Sequence, residues 1–209
     1  APDGKLWVGI WNQARYYRVD PATGATLPIG GAALPYVQLS GPSGGWNPYG
    51  CTVDKNGILW SATIGSGSGG FGRVDTNTGA TTQIASPYHP YNYGIAQGNG
   101  KIYQAPYVGG YGWSAYNPTT ATWERSLDSY NGAGIAIDGE GNILSTDYGC
   151  IRKYRATDKV LLWQKCEGGT TYGVMIDGNN DVWVMNTSTY RTTKYRGTDG
   201  TLVGFLPTG

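Results

Sequence analysis

Few side chains in this sequence have the types that acid–base or metal-assisted catalysis requires. There is one histidine, His89, in the phrase PYHPYNY, and we interpret it as a binding or packing residue rather than a general base. Most acidic residues lie in tight turns. The acids that remain as candidates for catalysis are Asp128, Asp147 and Glu167, and Glu124 lies inside a strand pattern. Two of these carboxylates could serve glycoside hydrolysis if their loops approach each other, because that reaction uses a pair of acids.

Recognised catalytic motifs do not occur in the sequence. It contains no nucleophile elbow, phosphate-binding loop or zinc-binding pattern. Turns such as DKNG and DGNND lack the twelve-residue ligand series of a calcium loop. The sequence therefore predicts no catalytic residue, no metal site and no cofactor.

Aromatic side chains, by contrast, crowd the variable segments between strand patterns. The chain has 17 tyrosines and 8 tryptophans, interleaved there with Asn, Asp, Ser, Thr and Gly. Aromatic rings cover the apolar C–H faces of a sugar, while short amides and hydroxyls bond its alcohols. The predicted ligand-binding residues are Trp11, Asn12, Tyr16, Trp46, His89, Tyr91, Tyr107, Tyr111, Trp113, Tyr130, Asp147, Tyr148 and Tyr190.

Other aromatic residues are predicted to be structural. Tyr49, Tyr93 and Tyr172 recur directly before a glycine at the start of a strand pattern, and we interpret them as packing between repeats. Large aromatic residues within strands normally belong to the core. This second group consists of Trp7, Trp60, Trp123, Trp163 and Trp183.

The three cysteines bear on the compartment of the protein, and none lies in a C-x-x-C motif. In CIRKYRATDKVLLWQKC, Cys150 and Cys166 flank a hairpin symmetrically, so they should face each other across neighbouring strands. Either they form a disulfide, which predicts a secreted or cell-surface protein, or they are two small half-buried thiols. Cys51 stays free in both cases.

Composition excludes several classes of protein. The chain has 209 residues, of which 39% are hydrophobic, and this is enough for a packed core. A net charge of +1 with 14% charged residues provides no field that collects polyanions, so we expect no nucleic-acid partner. No apolar run approaches the roughly 20 residues of a membrane span. Without a signal-peptide pattern at Ala1, we expect a mature or excised segment.

Strand and turn patterns return about every 40 residues, which is the period of a β-propeller blade. The turn between the first two strands reads PDGKLW, DKNGILW, GNGKIY, DGEGNIL and DGNNDVW. A second hairpin phrase follows each copy, as in FGRVDTNTGATT. We predict an all-β fold, a single β-propeller over 1–209 with five blades of about four antiparallel strands. The predicted blades are 3–46, 47–90, 91–129, 130–169 and 170–209; a solenoid is the alternative.

The repeats also resemble a known family. PYGCTVDKNGILW, NYGIAQGNGKIY and TYGVMIDGNNDVW, each followed by a variant of RVDTNTGATT, are similar to repeats of streptogramin lyase (virginiamycin B lyase)-like and NHL-type propellers. The resemblance implies a propeller and invites a lyase activity that uses a divalent metal and a cluster of histidines and glutamates. This chain has one histidine, so no catalytic residue is carried across.

The first repeat departs from the others. It begins inside its turn at Asp3 and Gly4 and lacks the inner strand that other copies carry as YGCTVD, YGIAQG, AGIAID and YGVMID. We count nineteen strand patterns where five complete blades need twenty. Either the segment from Gly30 to Trp46 folds in to help, or the chain was cut from a longer propeller. An open edge also invites pairing with another chain, so oligomerisation through the first blade is a further expectation.

These observations together predict a non-catalytic, extracellular binding propeller. Its expected partner is a neutral saccharide or a cell-surface ligand, bound in a lectin-like way by aromatic loops on one face. Protein recognition suits the same composition, because Tyr and Trp are favoured anchors at interfaces. The alternatives are a lyase-like or other enzyme acting at the channel mouth, and a structural or assembly module.

Overall fold

The computed structural model describes residues 1–30, 34–39, 46–64, 69–89, 91–108 and 110–207. Within these ranges the regular structure consists of twenty strands and one 3-10 turn, Trp11–Gln13, without an α-helix. None of the described elements is a helix long and apolar enough to cross a membrane. The strands form five antiparallel sheets, which we call blades 1 to 5 in chain order.

The first two blades cover the N-terminal part of the chain. Blade 1 contains β1 (Leu6–Ile10), β2 (Arg15–Val19), β3 (Thr26–Leu27) and β4 (Tyr36–Gln38). Blade 2 contains β5 (Asn47–Val53), β6 (Ile58–Ile64), β7 (Gly70–Asp75) and β8 (Thr81–Ala85).

Three further blades follow. Blade 3 contains β9 (Tyr91–Gly98), β10 (Lys101–Val108), β11 (Ser114–Asn117) and β12 (Thr122–Arg125). Blade 4 contains β13 (Gly132–Ile137), β14 (Ile143–Asp147), β15 (Cys150–Tyr154) and β16 (Leu161–Cys166). Blade 5 contains β17 (Thr171–Ile176), β18 (Val182–Asn186), β19 (Arg191–Tyr195) and β20 (Leu202–Pro207). In each of blades 2 to 5 consecutive strands are neighbours, which confirms the predicted antiparallel blades.

Blade 1 differs from the others because its outer strand is in two pieces. One edge of β2 pairs with β1, and the other edge carries both β3 and β4. This division explains why twenty strands are present rather than nineteen. Among the described residues β1 pairs only with β2, so the predicted absence of the inner strand is confirmed. The described part of the 30–46 segment supplies β4 to the outer edge and not the inner strand; residues 31–33 and 40–45 lie outside the description.

In blades 2 and 5 an aspartate builds the turn between the first two strands. The Oδ1 atom of Asp54 accepts hydrogen bonds from the backbone N–H groups of Asn56 at 2.9 Å and Ile58 at 3.0 Å. Its Oδ2 atom accepts the indole N–H of Trp60 at 3.0 Å. Asp177 repeats the arrangement, with the Trp183 indole at 2.9 Å. Turn carboxylates therefore satisfy their own turns, as Asp commonly does.

By packing, the chain divides into two compact units, Ala1–Tyr93 and Gly94–Gly209. In unit 1 the core lies between blades 1 and 2, where Tyr16, Ile29 and Val37 pack with Leu59 and Val74. Burial of this apolar area is the main force that holds the two sheets together.

Unit 2 contains two such cores, one on each side of blade 4. Tyr103, Ala105, Trp113, Ala115, Ile135, Ile143 and Tyr154 form the first. Leu144, Ile151, Trp163, Val182, Val184 and Tyr195 form the second. Because side chains alternate along a strand, β14 sends Ile143 to one core and Leu144 to the other.

Candidate functional site

A shallow surface cleft lies in unit 2, where the connections of three blades meet. Because neighbouring strands of a blade are antiparallel, the second strand of a blade ends at the same edge of the sheet at which the first strand begins. This geometry brings together Tyr107 near the end of β10, Asn131 just before β13, and Asp147 with Tyr148 at the end of β14. Thr170 and Tyr172 complete the cleft at the start of β17.

Tyrosine rings flank the cleft, and polar groups lie between them. Tyr107 and Tyr148 are exposed, and Tyr172 is half-buried. Tyr148 is turned toward solvent by the tight β14–β15 turn, in which Gly149 has a φ of 113°. A side chain at Gly149 would approach the Gly169 carbonyl oxygen at 2.9 Å, so a larger residue does not fit this turn. The glycine therefore fixes the position of the neighbouring ring.

Asp147 lies at the floor of the cleft, and both of its carboxylate oxygens have partners in the protein. Its Oδ1 atom accepts the Cys150 N–H at 2.8 Å, and its Oδ2 atom pairs with the Arg152 guanidinium. Arg152 in turn lies over the Tyr130 ring, 4.2 Å from its centroid. Burial alone would lower the pKa of Arg152, but the hydrogen bond and charge of Asp147 raise it, so the guanidinium stays charged. The Asp147 carboxylate is thus neutralised by a neighbour.

The other two candidate acids are also engaged inside the protein. The Tyr154 hydroxyl donates a hydrogen bond to the Oδ2 atom of Asp128 at 2.7 Å. Glu167 accepts from Tyr195 and from Arg191, whose Nη2 atom lies 3.0 Å away. Burial would raise the pKa of the Glu167 carboxyl, but these hydrogen bonds and the arginine charge outweigh it and lower the pKa. A glycosidase acid needs a raised pKa, so Glu167 does not suit that role.

Four of the predicted ligand residues are buried and present no exposed surface. Tyr16 lies in the unit 1 core with its hydroxyl 2.8 Å from Ser61 Oγ, and Trp46 belongs to the same core. His89 is buried. Trp113 packs between Tyr103 and Tyr154. Tyr16 lies within β2, and Trp46 and Trp113 directly precede β5 and β11.

The remaining predicted residues are dispersed. Tyr111 stacks on Arg125 at 3.7 Å, Tyr130 lies beneath Arg152, and Tyr91 is half-buried at the start of β9. Three more are exposed but do not line the cleft: Trp11, Asn12 and Tyr190. Of the predicted set the structure brings only Tyr107, Asp147 and Tyr148 into this cleft.

Sequence reasoning missed Asn131, Thr170 and Tyr172 as cleft residues. Tyr172 was interpreted as packing, like Tyr49 and Tyr93, whose ring centroids are 4.1 Å apart in unit 1. The position of these residues in the repeat could have identified all three. Each lies at the start of the first strand of its blade, at the edge where second strands end.

Cys150 and Cys166 are joined by a disulfide, while Cys51 is free and exposed. The two bonded cysteines are directly opposite in the β15–β16 register. The Cys150 carbonyl accepts a hydrogen bond from the hydroxyl of Thr171, which lines the cleft, at 3.2 Å. The disulfide therefore lies directly beside the cleft.

Two other cavities are larger but less suited to a ligand. A groove of about 440 Å³ lies on the short-turn side of blades 3 and 4, and its charges are paired, as in Lys101 with Glu124 at 2.6 Å. A cavity of about 210 Å³ in unit 1 is lined by Leu39, Trp46 and β8. In the described part of the chain no group of three His, Cys, Asp or Glu side chains is arranged to hold a metal ion.

Comparison with solved structures gives the relatives of this fold. A streptogramin B lyase structure has a TM-score of 0.81 and 15% identity, over 99% of this chain and 66% of the lyase chain. The chain has the fold of a streptogramin lyase-type β-propeller. The resemblance predicted from the repeats is thereby confirmed at the level of fold.

Two other structures match the propeller. A catalytically inactive variant of virginiamycin B lyase from Staphylococcus aureus, with quinupristin, has a TM-score of 0.79 and 13% identity, over 99% of this chain and 67% of that one. A chain of the mitotic checkpoint complex has a TM-score of 0.76 and 11% identity, over 98% and 61%. No family model and no curated protein sequence matches the chain. The propeller spans about two thirds of the lyase chains, and at these identities the likeness is one of fold.

Proposed function

We propose that this propeller is a non-catalytic, extracellular binding protein that recognises a neutral carbohydrate. The observation that carries the proposal is the unit 2 cleft, where the exposed rings of Tyr107 and Tyr148 flank the Asn131 amide and the Thr170 hydroxyl. Such a combination of apolar rings and short polar groups matches the two kinds of surface on a sugar.

The size and charge of the cleft favour one uncharged sugar unit. The cleft encloses no internal space comparable to the pockets that surround drug-sized ligands, so a sugar can bind only at its surface, between the rings. It therefore suits the terminal residue of a glycan. The Asp147 carboxylate is balanced by Arg152, so the floor of the cleft carries no net charge from this pair.

An extracellular location is part of the proposal. The Cys150–Cys166 disulfide supports it, because such bonds persist in oxidising compartments and are rare in the cytosol. A surface glycan is then an accessible ligand.

A glycan array followed by titration of the best binder tests the proposal. We expect Tyr148→Ala and Tyr107→Ala each to weaken binding by about tenfold or more, which corresponds to about 1.4 kcal/mol of lost stacking. Tyr148→Phe should bind nearly as well as the wild type, since it keeps the ring. Calorimetric or NMR titration is the suitable readout.

Tyr190→Ala is the matched control, because Tyr190 is an exposed tyrosine that does not line the cleft. We expect this variant to bind like the wild type. Equal affinity of the Tyr107, Tyr148 and wild-type proteins would refute the cleft as the site, and an array without binding would refute the carbohydrate class.

A lyase activity is the second candidate, and the likeness of fold to streptogramin and virginiamycin B lyases favours it. The test is incubation with quinupristin and a divalent metal, followed by mass spectrometry for the ring-opened product. The binding proposal expects no product. Product that disappears on chelation would establish the enzyme instead.

A further inference from the structure

The residues of the unit 2 cleft hold positions that recur from blade to blade. Tyr107 follows Ile102 by five residues, and Ile102 opens the pairing of its strand with the next strand. Leu6 opens the same pairing in blade 1, which makes Trp11 the counterpart of Tyr107. The end of this strand therefore carries an aromatic residue in blade 1, as it does in blade 3.

The strand that starts beside this ring is equivalent in the two units as well. Gly132 of blade 4 and Pro48 of blade 2 hold the same place in the register of their blades. The residue before each is an asparagine, Asn131 in the cleft and Asn47 in unit 1. An asparagine amide both donates and accepts hydrogen bonds, so unit 1 has the same polar group beside its ring.

Neighbouring blades of the two units also meet through the same contact. In unit 2 a Cβ added to Gly132 would lie 3.3 Å from the Cβ of Ala105 in β10. In unit 1 a Cβ added to Gly9 in β1 would lie 3.1 Å from the Cβ of Pro48. Gly9 is the counterpart of Ala105, so the same two positions touch in both units. The 3-10 turn that carries Trp11 contacts β5 at this place.

A hydrogen bond to the start of a third strand is repeated in both units. In unit 2 the Thr171 hydroxyl donates to the carbonyl of Cys150, the first residue of β15, at 3.2 Å. In unit 1 the Asn92 amide donates to the carbonyl of Gly70, the first residue of β7, at 3.2 Å. Both donors come directly before a Tyr-Gly pair. The two units thus hold the start of an inner strand in the same way.

Trp11 exposes its ring at the position that the cleft uses for ligand contact. Its side chain is 51% exposed. Tyr107 and Tyr148, which hold this position in blades 3 and 4, are 37% and 54% exposed. Blades that contain an inner strand therefore also leave this position accessible to a ligand.

Tyr49 makes the unit 1 arrangement flatter than the cleft. The cleft has Ala133 at this position, whereas the Tyr49 ring lies against Tyr93 with 4.1 Å between the ring centroids. The result is a platform of rings instead of a slot between two rings. We call it the unit 1 platform, and its residues, none of them charged, are Trp11, Asn47, Tyr49 and Tyr93.

We propose that the unit 1 platform is a second saccharide site, so that one chain has two sites for neutral sugars. This inference rests on the carbohydrate binding proposed for the cleft. The apolar C–H face of a sugar ring lies on Trp11, and the Asn47 amide bonds its hydroxyls. Two sites on one chain strengthen binding to a surface that carries many copies of a glycan, because the second contact is intramolecular.

NMR titration tests the proposal, with methyl β-D-galactoside, methyl β-D-glucoside and methyl α-D-mannoside as the probes. The indole N–H signal of Trp11 reports on the platform, and its absence from the spectrum of Trp11→Phe identifies it. We expect at least one glycoside to shift this signal in the wild type. The same shift, with the same dissociation constant, is expected in Tyr107→Ala/Tyr148→Ala, which lacks the rings of the cleft.

Tyr49→Ala should weaken the binding that Trp11 reports by about tenfold or more. Tyr190→Ala is the control and should leave it unchanged, because Tyr190 is an exposed tyrosine outside the platform. Circular dichroism establishes folding, and Asn47→Ala replaces Tyr49→Ala if that variant does not fold.

A Trp11 signal that stays fixed with all three glycosides would overturn the second site. Shifts of cleft signals in the same spectra would then show that the carbohydrate proposal stands without it. A Trp11 signal that shifts in the wild type but not in Tyr107→Ala/Tyr148→Ala would also overturn the second site, because Trp11 would then respond to binding at the cleft.

Discussion

At the residue scale, Trp113 and Trp11 show how differently one side chain can be used in the connections between strands. Trp113 lies just before β11, with its ring 6.0 Å from Tyr103 and 6.3 Å from Tyr154 by centroid. Trp11 lies in the 3-10 turn and is half exposed. The first ring is a core residue, although its neighbours in the sequence are typical of a loop.

Trp113→Ala should destabilise the protein by roughly 3–5 kcal/mol, because it removes a buried ring and leaves a cavity. Trp11→Ala should change the free energy of unfolding by less than about 0.5 kcal/mol, as exposed substitutions commonly do. Urea unfolding of both variants measures the difference. Similar midpoints for the two variants would show that Trp113 does not support the unit 2 core.

At the scale of the element, the hairpin turn between the first two strands of blades 2 and 5 depends on one carboxylate with two functions. In blade 2, Asp54 accepts two backbone N–H groups with one oxygen and the Trp60 indole with the other. The turn and the buried tryptophan of the second strand are thus coupled through a single side chain.

Asp54→Asn tests this coupling. The amide can still cap the turn through its oxygen, but its NH₂ group then faces the Trp60 N–H, so we expect a cost of roughly 1–3 kcal/mol. Trp60→Phe removes the opposing donor, and the double variant should lose less than the sum of the single losses. Denaturant unfolding of the four proteins provides the cycle.

Asp75→Asn is the matched control, since Asp75 caps its turn through Oδ1 alone, with bonds to Asn77 and Thr78. It should cost clearly less than Asp54→Asn. Additive losses in the Asp54 and Trp60 cycle would mean that the indole bond contributes nothing to stability.

At the scale of the whole molecule, the proposed carbohydrate binding links stability to ligand concentration. A ligand or partner that binds only the folded chain raises the unfolding temperature by mass action. A sugar bound at the unit 2 cleft between Tyr107 and Tyr148 acts as such a ligand.

We expect the thermal midpoint of the wild type to rise by several degrees as the sugar concentration increases to roughly a hundred times its dissociation constant. The Tyr107→Ala/Tyr148→Ala variant should show a clearly smaller rise over the same range. Differential scanning calorimetry measures both. A midpoint that rises equally in the two proteins would refute the cleft as the binding site.

The sequence by itself determined the five-bladed fold, the turns and the missing inner strand of blade 1. These features depend on alternation within single strands and on turn residues such as Asp54 and Asp177, whose partners are a few positions away. The facing positions of Cys150 and Cys166 follow from one hairpin in the same way.

Only the tertiary structure decided which aromatic residues are accessible and which acids are engaged. The cleft combines Tyr107, Tyr148 and Tyr172 from three blades, while Trp113 is buried by a tyrosine 41 positions further along the chain. Burial and ion pairing depend on which blade lies alongside, and the repeats are too alike for the sequence to distinguish a ring in the cleft from one in the core.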